Sequence, residues 1–108
     1  MIKIYIASPY TKGNKLSNVN RSFDVASELI DLGFAPFAPL YTHYIDELHP
    51  KSYELWMKLD KEWLLHCDGL LRMEGKSEGA DQEVWWAIDN NIPVFYSVDQ
   101  VVKYYNYV

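Results

Sequence analysis

A single cysteine, Cys67, excludes an internal disulfide and a multi-cysteine metal site. His43, His49 and His66 share no metal-ligand spacing and read as loop or surface histidines unless His43 swings over a binding mouth, so no metal and no other cofactor is expected. No apolar run approaches the length of a bilayer span, and the chain opens on a strand instead of a signal peptide. Both features point away from a membrane and toward the cytoplasm. Lysine and arginine form no cluster or stripe in a chain of net charge −5, which excludes an electrostatic grip on long nucleic acid. A single nucleotide is not excluded, because loop amides and a helix N-terminus can hold one phosphate without a basic patch. Internal repeats and low-complexity segments are also missing.

What is present suits one domain spanning 1–108: the chain has 108 residues, 49% of them apolar. Nine tyrosines and four tryptophans exceed what so small a core needs to hide, so some are expected at a subunit interface or along a pocket.

The organising stretch runs from Leu59 to Tyr96. It reads as a helix end, a short apolar strand (Gly69 to Met73), a polar turn, a helix opening at Ser77-Glu78-Gly79 and a second strand (Ile92 to Tyr96). Such an αβαβ succession predicts an α/β, three-layer, flavodoxin-like (Rossmann-like) domain with a small, mostly parallel sheet. Ligands of such sheets bind beyond the carboxyl ends of the strands, which puts the mouth at the turn after Met73 and the helix start at Ser77. Helical side chains lean toward the N-terminus, so Glu83 points back over Gly79 and Ala80. A bare carboxylate is expected there, ionised under the positive end of the helix dipole and able to act as a nucleophile.

Upstream, Ile2 to Ala7 alternates as a central first strand and ends in the polar loop Ser8-Pro9-Tyr10-Thr11-Lys12-Gly13-Asn14, again on the mouth side. Ser17 or Asn18 can cap a helix carrying Val19, Phe23, Ala26, Leu29 and Ile30 at helical spacing, with Gly33 as its stop. Phe34 to Ala38 reads as a strand whose prolines place it at an edge, and Pro39 to Pro50 as a long loop or short helix over the mouth. A helix from Ser52 to about Cys67 lays Leu55, Trp56, Leu59, Trp63, Leu64 and Cys67 in one stripe. Asp60 falls within it and needs either a buried hydrogen bond or a ligand. On the next helix Ala80, Val84, Ala87 and Ile88 make the core stripe, and the tail from Val98 to Val108 suits a short last helix with Tyr104, Tyr105 and Tyr107 crowded together.

Tyr5 before a small-residue loop, the run Asp60-Lys61-Glu62-Trp63-Leu64 followed by Asp68, and Ser77-x-Gly79-x-x-x-Glu83 together resemble the nucleoside 2-deoxyribosyltransferase superfamily. The likeness is closest to its 2′-deoxynucleoside 5′-monophosphate N-glycosidase branch and to related short, often phage-encoded domains of unknown function. The resemblance implies Glu83 as the nucleophile at the anomeric carbon, Tyr5 as the residue positioning it, and Asp60 as the acid that contacts the sugar or assists the departing base. It implies Ser77 at the 5′-phosphate, with Gly79 at the same helix start and Ser8, Thr11 and Gly13 contributing from the first loop. It also implies a homodimer or larger assembly in which a neighbouring subunit completes the pocket. Enzymes of the superfamily acting on unphosphorylated nucleosides carry an acid where this chain has Ser77, which favours a phosphorylated substrate. The first loop and the Trp85-Trp86 pair depart from the branch pattern.

Each of these residues also has a plainer use. Glu83 suits a solvated helix face, Asp60 a buried acid bonded to backbone and Tyr5 strand packing, while a capping role for Ser77 is compatible with an anion site. Asp68 and Asp81 suit turn and first-turn acids, and Trp85 and Trp86 subunit contacts. The expected activity is cleavage of the base-sugar bond of a (2′-deoxy)nucleoside 5′-monophosphate; base exchange and nucleotide binding without catalysis are the alternatives.

Overall fold

The computed structural model describes residues 1–105. Four strands, β1 (Lys3–Ala7), β2 (Ala35–Phe37), β3 (Gly69–Arg72) and β4 (Val94–Phe95), form one sheet in the order β2-β1-β3-β4, every neighbouring pair parallel. Helices α1 (Lys15–Asp31), α2 (Thr42–Leu48), α3 (Tyr53–Leu64), α4 (Glu78–Asp89) and α5 (Val98–Tyr105) connect or follow them, with a 3-10 turn at Pro39–Tyr41. The result is a flavodoxin-like α/β domain whose sheet is wholly parallel. Its strand order reverses between β1 and β3, paired through Tyr5 and Leu70, and a crevice opens at such a reversal.

Period-2 alternation along the central strands sorts the core onto two faces. Ile4, Ile6 and Leu71 meet Leu29 of α1, Phe34, Phe95 and Val101 of α5 on one side. Tyr5, Ala7 and Leu70 meet Leu64 of α3 and Ala80 and Ala87 of α4 on the other. Each fully buried leucine, isoleucine or phenylalanine contributes about 1.5–3 kcal/mol, so both helical layers are held by the central strands.

Helix α1 starts earlier than predicted. Asn14, not Ser17 or Asn18, is its cap, accepting from the Ser17 N–H at 2.9 Å. Asn18 is instead buried one turn in, and its amide donates to the carbonyls of Tyr10 (3.0 Å) and Lys12 (2.9 Å), tying the first loop to the helix. Gly33 follows the last turn as expected, and β2 lies at the sheet edge. The Pro39 to Pro50 segment resolves into the 3-10 turn and α2.

The stripe expected on α3 buries that helix only in part. Leu64 is fully buried, but Leu55, Leu59 and Trp63 are 49, 37 and 48% exposed, and Ile88 of α4 also faces solvent. Periodicity says which residues share a face but not how far a neighbour covers it: Cys67 packs on the core cluster and Trp63 stacks on Phe37 at 5.2 Å, while Leu55 and Leu59 stay open. The last helix is present; Tyr107 lies outside the described residues. No helix among the described residues is long and apolar enough to cross a membrane.

Two loops meet at the reversal. Gly75 sits at φ +118°, which other residues rarely adopt, and a Cβ there would stand 2.9 Å from Cγ of Pro9, so the loops after β1 and β3 touch. Arg72 holds the second loop, its guanidinium donating to the Met73 and Gly75 carbonyls and pairing with Asp81 at 2.8 Å.

Candidate active site

Beyond the carboxyl ends of β1 and β3 lies a cleft of about 390 Å3, within the range of small-molecule sites. Its floor is Glu83, its near wall Ser8, Tyr10, Thr11 and Lys12, its far wall α3 with Tyr53, Trp56, Met57 and Asp60, and its roof Leu40, His43 and Asp46. The start of α4, Ser77 to Ala80, closes one end. Of the residues singled out in the sequence, Glu83, Asp60, Ser77, Gly79, Ser8 and Thr11 line this single cleft.

Glu83 is not the bare, ionised carboxylate expected from the small residues beneath it and the helix dipole. It is only 5% exposed and accepts a hydrogen bond from Tyr5 Oη, itself fully buried. Burial pushes the Glu83 carboxyl up to about 8; the Tyr5 hydrogen bond opposes that shift, the nearby Asp60 charge adds to it and Arg72 opposes it. The helix N-terminus therefore does not keep this group in its ordinary acidic range. Burial, followed by the Glu83 charge, raises the Tyr5 phenol well above its ordinary value, so it stays a proton donor. Tyr5 does not line the cleft and reaches it only through its bond to Glu83. Asp60 is part-buried, no described residue donates to it, and desolvation raises it to about 7. Two carboxyls thus share one cleft, both lifted toward neutrality by exclusion from water.

Ser77 caps α4, accepting from the Ala80 N–H at 3.1 Å. Gly79 follows one residue into that turn, where a Cβ would come within 3.1 Å of Tyr53 Oη and narrow the cleft. Ser8 is buried and donates to the Pro9 carbonyl at 2.9 Å. Gly13 is not brought to the cleft; it turns the first loop at φ +83° into Asn14.

Several lining residues escaped sequence reasoning. Lys12, Lys15, Lys51 and Lys76, scattered along the chain, converge on the cleft. Lys15 Nζ stands 5.4 Å over the Tyr10 ring. His43, buried in α2, does lie over the mouth: its Nδ1 is 2.5 Å from Tyr10 Oη and its Nε2 3.2 Å from Glu47 Oε1. Asp46 Oδ1 accepts from Trp56 Nε1 at 2.7 Å and from the Lys51 N–H at 2.9 Å. The signals for these are the polar loop after β1, which holds Tyr10 and Lys12, and the segment between two prolines, which holds His43 and Asp46; Lys15, Lys51 and Lys76 carry none.

A family model, the domain of unknown function DUF7768, matches residues 2–97. The chain belongs to this family. Among solved structures it is similar to the 2-deoxyribosyltransferase of the psychrotolerant bacterium Bacillus psychrosaccharolyticus, described as a biocatalyst for the synthesis of antiviral and antitumoral nucleosides. The two are 26% identical with a TM-score of 0.56, over 85% of this chain and 69% of that one. No curated protein matches the sequence. This DUF7768 domain thus shares its fold with a nucleoside-processing enzyme.

Proposed function

We propose that this DUF7768 domain is an N-glycosidase acting on a (2′-deoxy)nucleoside 5′-monophosphate. The observation carrying this reading is the buried Tyr5–Glu83 pair opening into the same cleft as Asp60 and Ser77. Ionised Glu83 attacks the anomeric carbon as the carbon-nitrogen bond breaks, and the departing base takes a proton from Asp60. Water then cleaves the glycosyl ester, with Asp60 accepting its proton. Burial makes Glu83, once ionised, a poorly solvated and hence reactive carboxylate, and it lifts Asp60 to about 7, where the acid can give up and regain a proton near neutral pH.

The phosphate end rests on Ser77, the free amides of the first α4 turn and Lys76, while Lys12, Lys15 and Lys51 stand elsewhere around the lining. Their gathering around one cleft, in a chain of net charge −5, favours an anionic substrate. Base exchange is the second reading, supported by the transferase named above. A homo-oligomer belongs to the same proposal; the exposed stripe Leu55, Leu59 and Trp63 suits a second copy.

Incubation with deoxynucleoside monophosphates, followed by chromatography of released base, tests the reading. Release by the parent and none by Glu83→Ala is expected. Equal release by both would remove Glu83 from the mechanism. Addition of a second free base separates hydrolysis from exchange, and tight binding without turnover across the panel would make the domain a nucleotide-binding module.

A further inference from the structure

The wall opposite the phosphate end carries an unusual set of hydrogen-bonding groups. Glu47 is a carboxylate and can only accept, so the hydrogen on the His43 ring sits on Nε2, which faces it at 3.2 Å. In the neutral ring Nδ1 is then bare and takes the Tyr10 proton across 2.5 Å. With its proton committed inward, Tyr10 Oη offers the cleft lone pairs only. Asp46 adds a second acceptor. Its Oδ1 is occupied by Trp56 and the Lys51 N–H, and no described residue donates to Oδ2. Those bonds, the Lys51 one foremost, hold the Asp46 carboxyl below its ordinary value, so it stays an acceptor. Burial, with the Asp46 and Glu47 charges behind it, raises the Tyr10 phenol, so it keeps its proton.

Resting on the nucleotide reading above, we infer that Tyr10 Oη and Asp46 Oδ2, beside the Lys15 ammonium held over the Tyr10 ring, form a wall with two acceptors that selects a nucleobase bearing an exocyclic amino group. With Glu83 and Asp60 at the sugar and Ser77 with Lys76 at the phosphate, the part of the cleft left for the base is this wall and the Trp56 beside it. Adenine and cytosine present an N–H2 donor where hypoxanthine and uracil present a carbonyl oxygen of nearly the same shape. A carbonyl facing two acceptors leaves all of them unpaired, and a site built to accept rejects it for that reason.

Calorimetric binding of two matched pairs, dAMP with dIMP and dCMP with dUMP, tests this. The amino member of each pair is expected to bind about tenfold more tightly, the worth of one good hydrogen bond. Asp46→Asn can keep the Trp56 and Lys51 bonds on its oxygen while turning Oδ2 into an N–H2 donor, and is expected to shift preference toward the oxo member. Tyr10→Phe removes the other acceptor and is expected to shrink both ratios. Should that variant unfold, Glu47→Gln, on the exposed side of His43, releases the tautomer and is expected to do the same. Equal affinities within both pairs, or ratios untouched by Asp46→Asn, would overturn the inference and leave the nucleotide reading standing. Failure of all four nucleotides to bind would overturn both.

Discussion

Tyr5 Oη, fully buried in β1, donates its proton to the Glu83 carboxylate on α4, joining the central strand to the helix that closes the cleft. This bond opposes the desolvation that raises Glu83, and it fixes which carboxylate oxygen is left for a substrate. With Glu83 raised to about 8 and Asp60 to about 7, the reactive form, Glu83 ionised and Asp60 protonated, is a minority species of the pair. The expected pH profile of kcat/KM is a narrow bell centred between those values. Asp60→Asn should remove its alkaline limb, and Tyr5→Phe, by raising Glu83 further, should move the alkaline limb upward and lower the maximum. A flat profile from about pH 6 to 9 would contradict this assignment.

The same burial makes a stability forecast with a definite sign. Glu83 holds a proton in the folded chain up to about pH 8, whereas its ordinary value is 4.5. Between those two values the folded state binds a proton that the unfolded state has released, so this group's contribution to stability falls as pH rises through the window. Glu83→Gln should therefore match the parent near pH 4.5 and exceed it above pH 8 by an amount on the order of a few kcal/mol. Urea unfolding at the two ends of the window measures the difference.

Ser77 serves two purposes that one substitution can separate. Asp caps a helix as well as Ser, so Ser77→Asp should keep the midpoint of thermal unfolding within a degree or two. The new carboxylate would repel a phosphate at the same spot. KM for a monophosphate is expected to rise at least tenfold and KM for the matching nucleoside to change little. Equal effects on both substrates would remove the phosphate from Ser77.

Gly69 opens β3 where there is no room for a side chain. A Cβ would stand 2.9 Å from Phe95, 3.1 Å from Tyr105 Oη and 3.2 Å from Ile4. Gly69→Ala should lower stability by about 1–3 kcal/mol through overpacking between the sheet and α5. An unchanged chemical denaturation midpoint would contradict the packing described.

The exposed stripe on α3 gives a prediction for assembly. If a second copy covers Leu55 and Leu59, sedimentation velocity should find the parent as a dimer or larger species. Leu59→Glu should return it to a monomer with little loss of fold, because Leu59 is 37% exposed within one chain. A monomeric parent would leave that face to solvent.

Much of this site was legible because it depends on local periodicity. Glu83 above two small residues, Ser77 at a helix start and Asp60 inside an apolar stripe are readable from helical spacing alone, and all three line the cleft. Others depend on distance along the chain. Tyr10 and His43 lie 33 positions apart, and Lys12, Lys15, Lys51 and Lys76 form no cluster until the sheet brings their loops to one end. The helix α1 boundary was missed because Asn14, Ser17 and Asn18 are all capping types, and the choice is made by Asn18 turning inward to hold two loop carbonyls. The ionisation of Glu83 was misjudged because a sequence displays the helix dipole but not the depth of burial that overrides it.

The contact between Pro9 and Gly75 has a mechanical meaning. It joins the loops after β1 and β3, which bring Tyr10 and Lys76 to the cleft. A side chain at Gly75 would have to displace Pro9, and with it the flanking residues Ser8 and Tyr10 that line the cleft.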